Sequence, residues 1–117
     1  MKKEEPLKGV KVLELARVLA GPWAGQLLAD LGADVIKIEA PEGDETRNWG
    51  PPFHGEDSSA YFQSANRGKK SVIADLKNKL DLRMVQQLAK KADILIENYK
   101  VGGLLKYNLD YRHIKKE

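Results

Sequence analysis

Apolar residues fall into short blocks separated by polar, turn-forming stretches. Residues 9–16 (GVKVLELA) carry Val10, Val12, Leu13 and Leu15, a density that suits a buried strand. Behind Ala20, Gly21 and Pro22, the residues Trp23, Leu27, Leu28 and Leu31 recur at helical spacing. Pro fits a first helical turn because its missing N–H has no partner there anyway. Gly32 suits the C-terminal cap. Residues 34–39 (DVIKIE) predict a second strand, ended by Pro41. Residues 41–60 are rich in Gly, Pro, Asp and Ser and predict a long loop; a loop of that length in a small domain is often functional. A short helix is predicted over 61–65 and a third strand over 71–76 (SVIADL). Leu80, Met84, Val85, Leu88 and Ala92 form a helical stripe, and 93–97 (DILIE) predict a fourth strand. A short helix over 101–107 follows, with Asp110 expected to cap a last one over 111–116.

Strand, helix, strand within about 30 residues fits a right-handed parallel crossover. The whole order, β-α-β-loop-β-α-β-α, predicts an α/β domain with a mainly parallel sheet. Ligands of such sheets sit beyond the carboxyl ends of the strands. Here those ends are residues 16–20, 39–41, 75–77 and 97–100.

Composition narrows the function. Hydrophobic residues make up 42% and charged residues 32%, an ordinary soluble balance. No apolar run approaches the ~18 residues of a membrane span, and none follows the N-terminal lysines as in a signal peptide. The net charge of +3 is mild and its lysines are scattered among acids. That argues against a nucleic-acid surface, which needs a denser basic stripe. It leaves room for a small polyanionic ligand. With no cysteine there is no thiolate nucleophile and no Cys-based metal site, and a reducing cytoplasm is the expected location. His54 and His113 stand apart, so no metal cluster is expected.

Three stretches carry candidate chemistry. Residues 21–25 (GPWAG) open the first helix, whose free N–H groups and positive dipole end are a natural phosphate seat. Glu39 follows at a distance where a dinucleotide site would hold a ribose. The third glycine of that fingerprint is missing, so Gly21 and Pro22 read better as shaping the turn. Residues 66–70 (NRGKK) form a basic loop that reads as solvated, with phosphate holding as the alternative. Residues 97–100 (ENYK) fit either a polar grip on a ligand or plain turn chemistry. Asp44 and Arg47 are expected to pair locally and order the long loop. Trp23, Trp49 and Tyr61 are expected to be packing residues.

Taken together, several stretches resemble the opening of family III coenzyme A transferases. They are 9–22 (GVKVLELARVLAGP), 28–41 (LADLGADVIKIEAP), Gly43-Asp44 with Arg47, Asn66-Arg67 with Lys69-Lys70-Ser71, Asp75-Leu76-Lys77, and 92–99 (ADILIENY). The resemblance runs in register along nearly the whole chain. It implies a Rossmann-like three-layer large domain, a smaller second domain, and a homodimer of interlocked chains. It implies acyl-CoA and small carboxylic acids as substrates, with an aspartate that attacks the thioester to form a mixed anhydride. Residues 1–117 would then be an incomplete, coenzyme-binding N-terminal part of the large domain. The nucleophile would lie on polypeptide beyond Glu117, so no catalytic residue is assigned. Coenzyme-contacting positions carried over by the resemblance are Leu19, Ala20, Ala40, Ala74, Asp75, Leu76, Lys77, Asn98, Tyr99, Lys100 and Lys106. Ala40 stands where many relatives have an Arg, Lys106 where Arg is common, and Val101 replaces a usual Pro. Residues 49–53 (WGPPF) and 65–71 (ANRGKKS) look closest to transferases of the succinate and glutarate type. The alternatives are an acyl-CoA racemase of the same family and a non-catalytic coenzyme-binding or oligomerisation module.

Overall fold

The computed structural model describes residues 4–115. Its strands are β1 (Lys11–Glu14), β2 (Asp34–Glu39), β3 (Lys70–Ile73) and β4 (Ile94–Ile96). They form one sheet in the order β3-β2-β1-β4, and every pairing is parallel. The helices are α1 (Ala20–Asp30), α2 (Ala60–Ser64), α3 (Lys79–Lys91) and α4 (Tyr111–Ile114), with short 3-10 segments at Glu45–Asn48 and Leu105–Tyr107.

Alternation along the strands sets the layers. Leu13, Leu15, Ile36, Ile38, Val72 and Leu95 pack with Val85, Leu88 and Ala89 of α3. Val12, Val35 and Ile96 pack on the other face with Leu28 and Ala29 of α1. With α1 and α3 on opposite faces, the chain is the three-layer α/β arrangement that its pattern predicts. The strand order reverses direction between β1 and β4, the switch point of a doubly wound sheet.

Local chemistry explains most boundaries. Helix α1 ends as foreseen at Gly32, which has φ +103. The Gly32 N–H donates to the Ala29 carbonyl and the Ala33 N–H to the Leu28 carbonyl, each at 3.0 Å, so two orphan carbonyls are satisfied. Asn78 caps α3 by accepting from the N–H groups of Leu80 and Asp81 at 2.9 and 3.1 Å.

Several expectations are corrected. The third strand stops at Ile73, because the Asp75 N–H donates to Asp81 Oδ2 and the Lys77 N–H to Asp75 Oδ1. Side-chain oxygens there replace a ladder. Residues 101–107 do not form one helix; Gly102 at φ +81 breaks the run and only Leu105–Tyr107 coils. Over 111–116 the helix spans Tyr111–Ile114, and residue 116 lies outside the described residues. Asp110 stands at its cap position, but its carboxylate pairs with the His113 ring instead of a backbone N–H. Trp23 and Trp49 are exposed, Trp49 meeting Tyr61 edge-on at 5.1 Å. Among the described residues no helix is long and apolar enough to cross a membrane.

Candidate functional site

Parallel pairing brings all four carboxyl ends to one edge of the sheet. Beyond them lies a cleft of about 290 Å³, lined by Leu15 and Arg17 after β1, Ala40 to Glu42 after β2, and Ala74 to Lys77 after β3. Tyr99 and Tyr107 close its remaining wall. Six of the eleven expected coenzyme positions therefore share one cleft: Ala40, Ala74, Asp75, Leu76, Lys77 and Tyr99. A larger hollow of about 630 Å³ follows the outer side of β4, with Lys100 and Tyr99 on its wall and much of the rest apolar. The smaller cleft is the better candidate, because it sits where parallel strands deliver their backbone ends and cations.

The other expected positions are placed differently. Asn98 is spent on the backbone: its Nδ2 donates to the Arg17 carbonyl at 2.7 Å and its Oδ1 accepts the Arg17 N–H at 3.1 Å. Leu19 and Ala20 start α1 and line neither hollow. Lys106 lies over the Tyr107 ring at 5.1 Å, next to the cleft wall.

Cations divide cleanly between committed and uncommitted. In the basic loop, Arg67 pairs with Asp30 at 2.6 Å and Lys70 with Asp34 at 3.1 Å. Lys69 is enclosed, with its Nζ within 3.0 Å of Glu14, Pro22, Ala65 and Asn66 oxygens. Burial pushes the Lys69 ammonium down from its ordinary value, against the pull of Glu14. This loop is structural. At the cleft, Arg17 and Lys77 make no ion pair among the described residues, nor do Lys100 and Lys106. Arg17 lies 5.7 Å from the centre of the Tyr99 ring. Burial raises the Tyr99 phenol, more than Arg17 lowers it, so at neutral pH it is a protonated donor.

Glu39 does not await a ribose. Its carboxylate takes Arg47 Nε at 2.7 Å and NH2 at 2.8 Å, the Asp44 N–H at 2.8 Å, and the Ser71 hydroxyl. Burial alone would raise its pKa, but these donors hold it down at about 2. Arg47 thus pairs with Glu39, and Asp44 turns to Lys37 at 3.0 Å instead of forming the expected Asp44–Arg47 bond.

Beneath the β1 tip lies a buried cluster that the pattern of apolar residues did not reveal. Lys37 Nζ meets Glu14 Oε2, Asp44 Oδ2 and the Ala16 carbonyl, each at 3.0 Å. Glu14 Oε1 lies 2.8 Å from Lys69 Nζ, though without hydrogen-bond alignment. The four side chains are at most 2% exposed, and two acids balance two bases. Charges this deep persist only when fully paired. A signal existed: Glu14 and Lys37 interrupt two apolar strands at mutually paired positions.

The fold and the cleft define a parallel α/β domain with a hollow at its strand tips. Residues 7–117 match CoA-transferase family III, and the chain belongs to that family. It is 56% identical to the succinate–glutarate CoA-transferase of Agrobacterium fabrum, with 97% of this chain and 30% of that protein covered. It is 50% identical to the succinyl-CoA:glutarate CoA-transferase of Mus musculus, over 96% of this chain and 26% of that one. A crystal structure of a CAIB/BAIF family protein from Brucella suis superposes with a TM-score of 0.92 at 57% identity, covering 97% of this chain and 31% of that one. The chain thus spans about a third of the length of these relatives.

Proposed function

We propose that the protein carrying this domain transfers coenzyme A between small carboxylic acids, and that the strand-tip cleft holds part of the coenzyme. The observation that carries this reading is the cleft itself, where Arg17 and Lys77 make no ion pair among the described residues. A ligand with several phosphates suits uncommitted cations beside backbone groups. The cleft is too small for a whole coenzyme; one portion fits, with Lys106 over Tyr107 at its wall and Lys100 on the neighbouring hollow. Leu19, Ala20, Ala40, Ala74, Asp75, Leu76, Lys77, Asn98, Tyr99, Lys100 and Lys106 are the proposed contact positions. The names of the relatives above support succinate- and glutarate-type dicarboxylic acids as partners.

In the proposed chemistry an aspartate carboxylate attacks the thioester carbonyl. The carbon–sulfur bond breaks, coenzyme A leaves as thiolate, and an aspartyl mixed anhydride forms. That aspartate lies outside these 117 residues, on a cytoplasmic homodimer with a Rossmann-like large domain. Titration calorimetry of coenzyme A into the 117-residue chain tests the binding half: saturable heat is expected, and no heat with no thermal protection refutes it. An assay of acyl exchange between succinyl-CoA and glutarate tests the other half. No turnover by this chain alone is expected, and turnover would show that the nucleophile lies within it.

A further inference from the structure

The turn from β1 into α1 contains a conformation that needs an explanation. Val18 has φ +75, which a β-branched residue adopts only when its surroundings impose it. Three consecutive residues of this turn have backbone groups held by side chains from elsewhere. The Ala16 carbonyl accepts from Lys37 Nζ at 3.0 Å. Arg17 is gripped on both its N–H and carbonyl by Asn98. The Val18 N–H donates to Asp44 Oδ2 at 3.4 Å. Asp44 is in turn fixed, its Oδ1 accepting from the Thr46 N–H at 3.0 Å and hydroxyl at 2.8 Å, its Oδ2 lying on Lys37. Burial works against the Asp44 carboxylate, but the Thr46 and Lys37 donors outweigh it and keep its pKa below the ordinary value, so it is charged at neutral pH.

We propose that Asp44, seated on Lys37, is a positioning residue that holds the strained Val18 turn in the shape that receives the coenzyme. The inference rests on the coenzyme site proposed above, because Arg17 of this turn lines the strand-tip cleft. The clasp reaches from the loop after β2 to the tip of β1 and is anchored under the sheet. Without it, the left-handed Val18 relaxes toward an ordinary extended conformation, and only a minor fraction of molecules presents the receptive turn. Apparent affinity falls by that fraction, about tenfold for the usual strain of such a residue.

The test compares Asp44→Asn with the unaltered 117-residue chain in two readouts. Hydrogen exchange at the Val18 N–H reports the clasp, and titration with coenzyme A reports its consequence. Asp44→Asn is expected to lose protection at Val18 and to bind about tenfold more weakly. If Asp44→Asn fails to fold because two buried lysines are left to share Glu14, the double variant Lys37→Met/Asp44→Asn removes both charges and keeps the Glu14–Lys69 pair; the same two losses are expected. Rescue separates positioning from general support. Glycine accepts φ +75 without strain, so Val18→Gly in the Asp44→Asn background is expected to recover part of the lost affinity. If no form of the chain binds coenzyme A, the coenzyme site is wrong, and the Val18 exchange alone decides whether Asp44 holds the turn. Unchanged Val18 protection, or wild-type affinity in a folded Asp44→Asn chain, or no recovery with Val18→Gly, overturns the proposal.

Discussion

Basic side chains have opposite roles here, and the difference is whether an acid already holds them. Among the described residues Lys77, on the cleft wall, makes no ion pair, whereas Arg67 in the basic loop is bound to Asp30. Lys77→Ala is therefore expected to weaken coenzyme A binding by about fivefold, or ~1 kcal/mol, with the loss shrinking at high salt. Arg67→Ala is expected to leave the titration unchanged; equal losses in both would mean that general basicity, not the cleft, attracts the ligand. Gly25 offers a second test at this scale. A Cβ there would fall 1.9 Å from the buried Glu14 Oε1, so Gly25→Ala must push helix α1 off the charged cluster. A stability loss of roughly 3 kcal/mol is expected in urea unfolding. The role of Gly25 was hidden in the sequence, since the atom it makes room for lies on another strand. Lys77 and Tyr99 were legible because topology alone delivers strand ends to one edge. Arg17 lies within the 16–20 strand end that topology selects, but nothing in the sequence sets its side chain apart from its neighbours.

The elements that were read well are those with local causes. Helix α1 shows its spacing and its glycine stop, and α3 its stripe and its Asn78 cap. The 41–60 segment was opaque because its order comes from distant partners. Arg47 lies across the Phe62 ring at 3.8 Å and on Glu39 at the end of β2, while the Ser59 hydroxyl donates to the Thr46 carbonyl and caps α2 by accepting the Phe62 N–H. None of these pairings is readable from periodicity. The loop's attachment has a pH signature. The folded Glu39 pKa is about 2, against an ordinary 4.5 in the unfolded chain. A depressed carboxylate contributes its stability fully above the unfolded value and loses it as pH falls toward the folded value. Stability is expected to drop on the order of 3 kcal/mol through this group between pH 5 and 2, with Asp44 adding in the same direction. Urea unfolding at stepped pH checks it. Glu39→Gln removes the titrating group, so its profile is expected to be flatter; parallel profiles for the two chains would show that the Arg47–Glu39 attachment does not couple to folding.

On the scale of the whole molecule, the sheet is covered on both faces but its surroundings are unfinished. Leu19, Trp23, Leu27 and Leu31 recur every fourth residue on the outer side of α1, exposed at 41%, 62%, 58% and 38%. Strands β3 and β4 each have one neighbour, and Ile73 on β3 is 65% exposed. Three of these, Trp23, Leu27 and Leu31, belong to the helical spacing in the sequence, whereas its fourth member, Leu28, packs on the sheet. The expectation that Trp23 packs fails here because periodicity shows that apolar residues share a side and is silent about what covers it. The inward side of α1 is made by Gly21, Pro22, Gly25 and Gln26, which let the helix approach the charged cluster, and by Leu28 and Ala29, which pack on the sheet. An apolar stripe of this length on an outer face, beside open strand edges, favours association. The 117-residue chain is accordingly expected to pair with a second copy of itself as concentration rises, seen as a growing mass in sedimentation equilibrium. Trp23→Lys/Leu27→Lys places two like charges at the centre of the stripe, one turn apart, without touching the core. It is expected to shift the equilibrium toward monomer at least tenfold, since burying either unpaired ammonium in a contact costs more than ~1.4 kcal/mol. A wild-type chain that stays monomeric at every concentration, or a double variant that associates equally well, would mean that α1 needs no cover and that the stripe tolerates water.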